Sequence, residues 1–89
     1  MVRVKRLVFD ILKPHQPNAL ESCQVLALVG EDYHVTLTVI EMDEETTTTE
    51  VVIEANNIDF DAICAAITSV SGSVHSIDFV EVKNDTQQK

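Results

Sequence analysis

The chain has 89 residues, of which 45% are hydrophobic and 24% charged, as expected for one small globular domain that folds without disulfides or metal. Fifteen acidic against six basic residues give a formal net charge of -9, which repels phosphate groups and argues against binding to nucleic acid or an anionic membrane surface. No apolar run reaches the roughly 18 residues of a membrane span, and the alternating start lacks a signal peptide's apolar stretch, so a cytoplasmic location is expected.

The first half of the chain predicts a strand, a helix and a second strand. Residues Val2–Leu12 alternate between two sides, both largely apolar, as in a strand that ends where Lys13-Pro14 breaks the ladder. Pro17 suits the first turn of a helix that runs to about Val29 and stops at Gly30. The expected apolar stripe of this helix is Leu20, Cys23, Leu26 and Ala27. Residues Tyr33–Met42 are rich in β-branched side chains and predict strand two.

A turn, a short strand and a second helix are predicted next. The acidic and threonine-rich run Asp43–Thr49 is expected to form the turn, and Glu50–Ala55 the third strand. Asp59 is a suitable N-cap for helix two, and Gly72 a suitable end. The apolar stripe of this helix is Phe60, Ile63, Cys64, Ile67 and Val70.

Residues Val74–Val82 predict the last strand. Ile77, Phe79 and Val80 cannot all point to one face of a regular strand, which indicates a bulge. One domain over residues 1–83 is therefore expected, followed by a polar tail at 84–89.

The order strand, helix, strand, strand, helix, strand is typical of the ferredoxin-like βαββαβ fold. This α+β fold has a four-stranded antiparallel sheet in the order 4-1-3-2 with two helices on one face, and that architecture is the prediction here.

This topology brings the end of strand one, the start of helix one, the turn after strand two and the start of strand four together. The polar residues expected at that end are Lys13, His15, Asp43, Glu44, Glu45 and His75. Imidazoles beside carboxylates can bind a transition metal, although the spacing matches no recognised metal motif and surface or capping histidines are the alternative. Lys13 and the free amides of helix one offer instead a place for an anion.

A second set of carboxylates is expected on the sheet face away from the helices. Asp10, Glu54 and Asp78 fall there on neighbouring strands, and hard oxygen donors favour calcium or magnesium. The alternative is a solvated or salt-bridged acidic stripe, with Arg6 offsetting the charge.

The same face is too apolar to be left in water, because it also carries Val4, Val8, Leu12, Ile40 and Val52. Such a face is usually covered by another subunit, which predicts a homo-oligomer. The two cysteines, Cys23 and Cys64, lie on apolar stripes and are expected to be reduced, inaccessible thiols.

The segments DILKPHQP, VTLTVIEMDEET, NNIDFDAI and SVHSID resemble an archaeal family known as domain of unknown function 211, in register from about Val2 to Val82. The resemblance implies a ferredoxin-like fold and a cytoplasmic archaeal protein that assembles into ring-like homo-oligomers. It implies no reaction, so there are no catalytic residues to carry over. Phe79 stands where the family pattern favours a polar residue.

The first functional hypothesis is a homo-oligomeric binding or regulatory domain for a divalent cation or small ligand. A structural or protein-interaction module is the alternative. A small enzyme with His15 or His75 as general base is a further alternative, but no nucleophile elbow, phosphate loop or paired-cysteine motif supports a reaction.

Overall fold

The computed structural model describes residues 1–84, which form four strands and two helices. In chain order these are β1 (Val2–Pro14), α1 (Ala19–Ala27), β2 (His34–Met42), β3 (Thr46–Glu54), α2 (Phe60–Ser69) and β4 (Ser73–Asn84). The sheet order is β2-β3-β1-β4 and every neighbouring pair is antiparallel, which confirms the predicted ferredoxin-like fold. Asn84 ends β4, and the rest of the predicted tail lies outside the described residues.

The core lies between the helices and one face of the sheet. Its fully buried members are Leu7, Phe9, Ile11, Leu26, Val51, Ile53, Ile58, Ile63 and Ile67. Alternate residues of a strand point to opposite faces, so the neighbours of these strand residues point away from the helices. We call that second surface the open face; in the two central strands it carries Arg6, Val8, Asp10, Leu12, Thr48, Glu50, Val52 and Glu54.

Helix α1 begins at Ala19, two residues later than the predicted start at Pro17, and Asn18 forms a reciprocal cap. The Asn18 side chain accepts a hydrogen bond from the Glu21 amide at 2.9 Å, and the Glu21 carboxylate accepts one from the Asn18 amide at 3.1 Å. The resulting phase of the helix buries Ser22 and Leu26 and leaves Leu20 67% exposed. The predicted stripe was therefore wrong at Leu20. Burial of Ser22 is possible because its hydroxyl donates to the Pro17 carbonyl.

Helix α2 begins at Asp59, as predicted, and its end depends on close packing. The Asp59 carboxylate accepts from the Ala62 amide at 3.1 Å. The left-handed residue after the helix is Ser71, with φ of 63°, whereas Gly72 was expected to end it. Gly72 is needed for a different reason, because an added Cβ would lie 3.0 Å from the Ile67 side chain and 3.2 Å from that of Ile11.

Strand β3 begins four residues earlier than predicted. The turn comprises only residues 43–45, and the threonines that follow pair with the end of β1, from Thr46 opposite Pro14 to Thr49 opposite Ile11. Threonine is β-branched and fits a strand well, so a threonine-rich run after an acidic turn continues the hairpin. Strand β1 likewise continues through Pro14 instead of ending before it. The extended pairing places Glu50 opposite Asp10.

Two buried threonines on the same side of β3 provide a matched pair for a stability test. The Thr49 hydroxyl donates to the Ile11 carbonyl at 2.9 Å, whereas the Thr47 hydroxyl has no hydrogen-bond partner among residues 1–84. Both side chains are at most 3% exposed. Valine keeps the shape and removes the hydroxyl, so Thr49→Val is expected to lower the free energy of unfolding by about 1 kcal/mol and Thr47→Val to raise it by roughly 1 kcal/mol. Urea denaturation of both variants measures this; equal effects of the same sign would contradict the assignment.

Candidate functional site

The carboxylates predicted to form a hard-cation site are separated by the strand register. Glu54 lies opposite Arg6, four residues along β1 from Asp10, which corresponds to about 13 Å. Glu54 Oε2 is 3.7 Å from Arg6 Nε, and the Arg6 guanidinium lies 5.5 Å from the centroid of the Phe79 ring. Asp78 accepts a hydrogen bond from Ser76 at 2.7 Å. The structure does not gather these three carboxylates, and Glu54 forms part of a salt-bridged stripe.

The predicted bulge in β4 is confirmed, and the strand has more than one irregularity. Its register against β1 shifts between Val8 and Phe9 and again between Asp10 and Ile11. At the second shift Ser76 lies opposite Asp10 and Val74 opposite Ile11, so His75 is the extra residue. A bulge can redirect a side chain, and here His75 lies beside Asp10.

Asp10 and His75 line one cleft of about 160 Å³ together with Leu12 and Thr48. The sequence analysis groups Asp10 with Glu54 and Asp78, and places His75 with His15 at the opposite group of loop residues. It therefore does not predict that Asp10 and His75 lie side by side. It also missed Glu50, which lies opposite Asp10 on the other side of β1. The sequence signal for a bulge was that Ile77, Phe79 and Val80 cannot share one face of a regular strand. That signal does not identify which residue is the extra one.

The turn after β2 is organised by Asp43. Its Oδ1 accepts from the Thr46 amide at 2.8 Å, the Glu45 amide at 3.1 Å and the Thr46 hydroxyl at 2.9 Å. Hydrogen bonds from these two backbone amides, that of Thr46 first, hold the pKa of Asp43 below its usual range, and nearby His15 adds a smaller effect in the same direction. His15 Nε2 lies 3.3 Å from the Thr46 carbonyl oxygen. His15 and Asp43 therefore do meet at this end, whereas His75 lies in the open-face cleft.

Lys13, a candidate for binding an anion, forms its hydrogen bonds within the chain instead. Its side chain is 4% exposed, and the ammonium donates to the carbonyl oxygens of Pro14 and Pro17. Burial lowers the pKa of Lys13, and Glu21 opposes that effect. The start of α1 is closed by its own capping box. Both groups expected to hold an anion are thus engaged with the chain itself.

The two cysteines are free thiols, as predicted, but the expected full burial was wrong because both are only half-buried. Cys23 Sγ donates to the Val35 carbonyl at 3.4 Å. Desolvation raises the pKa of Cys23 and of Cys64, which disfavours the reactive thiolate.

Within residues 1–84 no three histidine, cysteine or acidic side chains lie close enough together to hold a metal ion. In the same part of the chain, neither helix has the length and apolar character needed to cross a bilayer.

A row of exposed apolar side chains follows β4. We call Val74, Ile77, Val80 and Val82 the β4 strip; they lie opposite core-facing residues of β1, on the helix side of the sheet. The helices do not cover this edge, and these side chains are 39–55% exposed. On the open face Phe79 is 46% and Leu12 39% exposed. Within the described residues β4 has a neighbouring strand on one side alone.

The element order and sheet topology define a ferredoxin-like α+β domain. Its sequence matches the model of the DUF211 family, described as uncharacterized ArCR, over residues 5–86, and the chain belongs to that family. It is also similar to the uncharacterized protein MJ0319 of Methanocaldococcus jannaschii, with 44% identity over 77 residues that cover 86% of this chain and 79% of the relative.

Proposed function

We propose that this protein is a cytoplasmic, self-associating binding domain whose copies meet through β4 and the adjoining open face, and whose assembly holds a cation or small ligand. The observation that carries the proposal is the β4 strip, because it places four exposed aliphatic side chains in a row along an edge strand.

An exposed edge strand is a template for pairing, and proteins that remain monomeric usually protect it with charges or a covering segment. On β4 the charged residues Asp78 and Glu81 fall between members of the strip, and Lys83 follows its last member. The strip itself contains no charged residue. It continues the apolar side of β1, so a second sheet edge laid against β4 would extend both the hydrogen-bonded ladder and the apolar layer.

A second copy of the chain is the occupant that this surface fits best. The open face beside β4 adds Phe79 and Leu12, and half-buried Val8 and Val52 continue the same apolar surface between the charged residues. Association through these regions would remove exposed aliphatic surface on both sides of one edge strand, at about 25 cal/mol per Å² of apolar area.

Replacing Val80 with aspartate tests the proposal. Val80 is 55% exposed, so a charge there should be tolerated by the single chain but not by a dry interface. We expect the unmodified protein to sediment as an assembly and Val80→Asp to shift the mass toward that of one 9.9 kDa chain.

Leu28→Asp is the matched control, because Leu28 is 83% exposed at the end of α1, a helix that contacts β2 and α2. This variant should keep the mass of the unmodified protein. Retention of the assembly by a folded Val80→Asp variant, as judged by circular dichroism, would refute the role of the β4 strip.

A further inference from the structure

We propose that the strand laid against β4 is β4 of a second copy, antiparallel and with Val82 on the two-fold axis, so that Glu81 of each copy pairs with the partner's Lys83. This inference rests on the proposed self-association through β4, and it specifies the occupant of that edge and the register of the pairing. A two-fold contact uses the same surface of both copies, so it is complete once two chains have met.

The bulges of β4 confine regular pairing to its second half. Against β1, the strand has one extra residue at His75 and another at Asp78. A bulge kinks and twists a strand, and bulges in edge strands hinder further pairing. Residues 79–84 contain no such interruption, because the remaining register shift adds Lys5 to β1 and nothing to β4. The regular part of this edge is therefore residues 79–84.

The alternation of side chains within residues 79–84 restricts where a two-fold axis can lie. Val80 and Val82 belong to the β4 strip on the helix side, so Phe79, Glu81 and Lys83 point to the open face. Directly opposed residues of an antiparallel pair share a face. The axis between two copies of this strand must therefore pass through a residue and cannot pass between two residues.

Charge and regularity together select Val82 as the residue on the axis. An axis at Glu81 or at Lys83 would set that residue opposite its own like-charged copy, which is destabilising. An axis at Val80 would place Val82 opposite the partner's Asp78, so the ladder would run into the bulge. An axis at Val82 keeps the pairing within the regular stretch and sets Glu81 opposite the partner's Lys83 on both sides of the axis.

The charges on β1 favour the same register. Lys83 lies opposite Arg3, so two cations face each other across the ladder within one chain. Glu81 lies opposite Arg6, whose Nε is 3.7 Å from Glu54 Oε2. The partner's Glu81, placed on the other side of Lys83, would offset the repulsion between the two cations.

On the helix side the same register joins the two β4 strips. Val82 meets the partner's Val82, and Val80 lies next to this pair in each copy, so four aliphatic side chains form one patch across the contact. In the single chain Val80 is 55% and Val82 49% exposed. Removal of this apolar surface from water supplies affinity, whereas the charge pairs fix the register.

The other edge strand, β2, fits β4 less well. Its register against β3 shifts at Ile40, which is an extra residue, so this edge carries a bulge of its own. Its regular part, residues 34–39, has His34 as its sole titratable residue. It therefore lacks a pair of opposite charges to match Glu81 and Lys83, which a second β4 provides.

Cross-linking through an introduced cysteine tests the register. A residue on the axis faces its own copy with Cα atoms about 4.5–5.5 Å apart, which a disulfide can span. With copper phenanthroline as oxidant, we expect Val82→Cys to convert most of the protein to disulfide-linked dimers on non-reducing electrophoresis. Val74→Cys is the matched control, because Val74 is exposed on the same strip near the other end of β4. That variant and the unmodified protein, with its two half-buried thiols, should not cross-link.

Charge reversal tests the two pairs independently. Glu81→Lys and Lys83→Glu each create two like-charged pairs across the contact, so each should weaken association on the order of tenfold. The double variant restores opposite charges and should associate within about threefold of the unmodified protein. A double variant that associates no better than the single variants would overturn the pairing of Glu81 with the partner's Lys83.

Sedimentation of the same samples separates this inference from the proposed function. Assemblies in which folded Val82→Cys does not cross-link, or cross-links no more than Val74→Cys, would overturn the register and leave self-association intact. An unmodified protein that stays a single chain at every concentration would overturn both.

Discussion

Replacing Phe9 with alanine is expected to lower the free energy of unfolding by about 3–5 kcal/mol, a large part of the 5–15 kcal/mol typical of a small domain. Phe9 is 0% exposed at the centre of β1, between the two strands that flank it and beneath the helices. Removing the ring discards its transfer free energy and leaves a cavity that the strand pairing on both sides prevents from closing. Urea denaturation followed by circular dichroism measures the effect.

Phe60→Ala is the matched control for Phe9→Ala. The two rings stack with centroids 6.2 Å apart, but Phe60 lies at the first turn of α2 and is 41% exposed. Its loss removes the stacking and part of the burial, so the expected cost is at most about 2 kcal/mol. Similar costs for the two variants would show that Phe9 is not the centre of the core.

Replacing Lys13 with methionine is expected to lower the free energy of unfolding by about 1–3 kcal/mol near neutral pH. The aliphatic part of the side chain is kept, but the carbonyl oxygens of Pro14 and Pro17 lose their donor in a part-buried place. The loop that leads into α1 is held by these two bonds, so the loss should also loosen the start of that helix. Lys5→Met is the control; the Lys5 ammonium bonds the exposed Asn56 side chain, and its removal should change stability by no more than about 0.5 kcal/mol.

The Lys13 variant should also change how stability depends on pH. Burial lowers the pKa of Lys13 in the folded protein, whereas in the unfolded chain the amine keeps its ordinary value of 10.5. Between those two values the unfolded chain binds more protons, so this group makes the folded state more stable as pH rises toward 10.5 and has no such effect at lower pH. The stability difference between the unmodified protein and Lys13→Met should therefore grow with alkaline pH. A constant or shrinking difference would contradict the burial of a charged Lys13.

The fold could be predicted because local patterns and topology agreed. The alternation in β1, the helical spacing after Asp59 and the order of elements together leave few topologies open. Element ends were harder to place. Asn18 with Glu21 three residues later is a capping-box signature that can be recognised in the sequence. Pro17 also suits the first turn of a helix, and a helix that starts at Pro17 has the wrong first residue and the wrong buried stripe.

The candidate site depends on register, which local sequence specifies poorly. Beginning β3 at Glu50 instead of Thr46 hid the fact that Glu50 faces Asp10, and the bulge that brings His75 to the cleft arises from pairing with β1. Burial of Lys13 was unexpected for a similar reason. Lysine is almost never buried unless its charge is satisfied, and the carbonyls that satisfy it belong to the last residue of β1 and to the irregular loop that follows.

Sedimentation equilibrium of the unmodified protein over a dilution series, in chelator and at fixed ionic strength, tests the central claim of self-association most directly. If β4 and the open face are covered by further copies, the weight-average mass will be at least twice the 9.9 kDa of one chain at micromolar concentration. The weight-average mass will fall toward the 9.9 kDa of one chain only on dilution. A mass of 9.9 kDa at every concentration would mean that β4 and the open face remain exposed, and would contradict the proposed function.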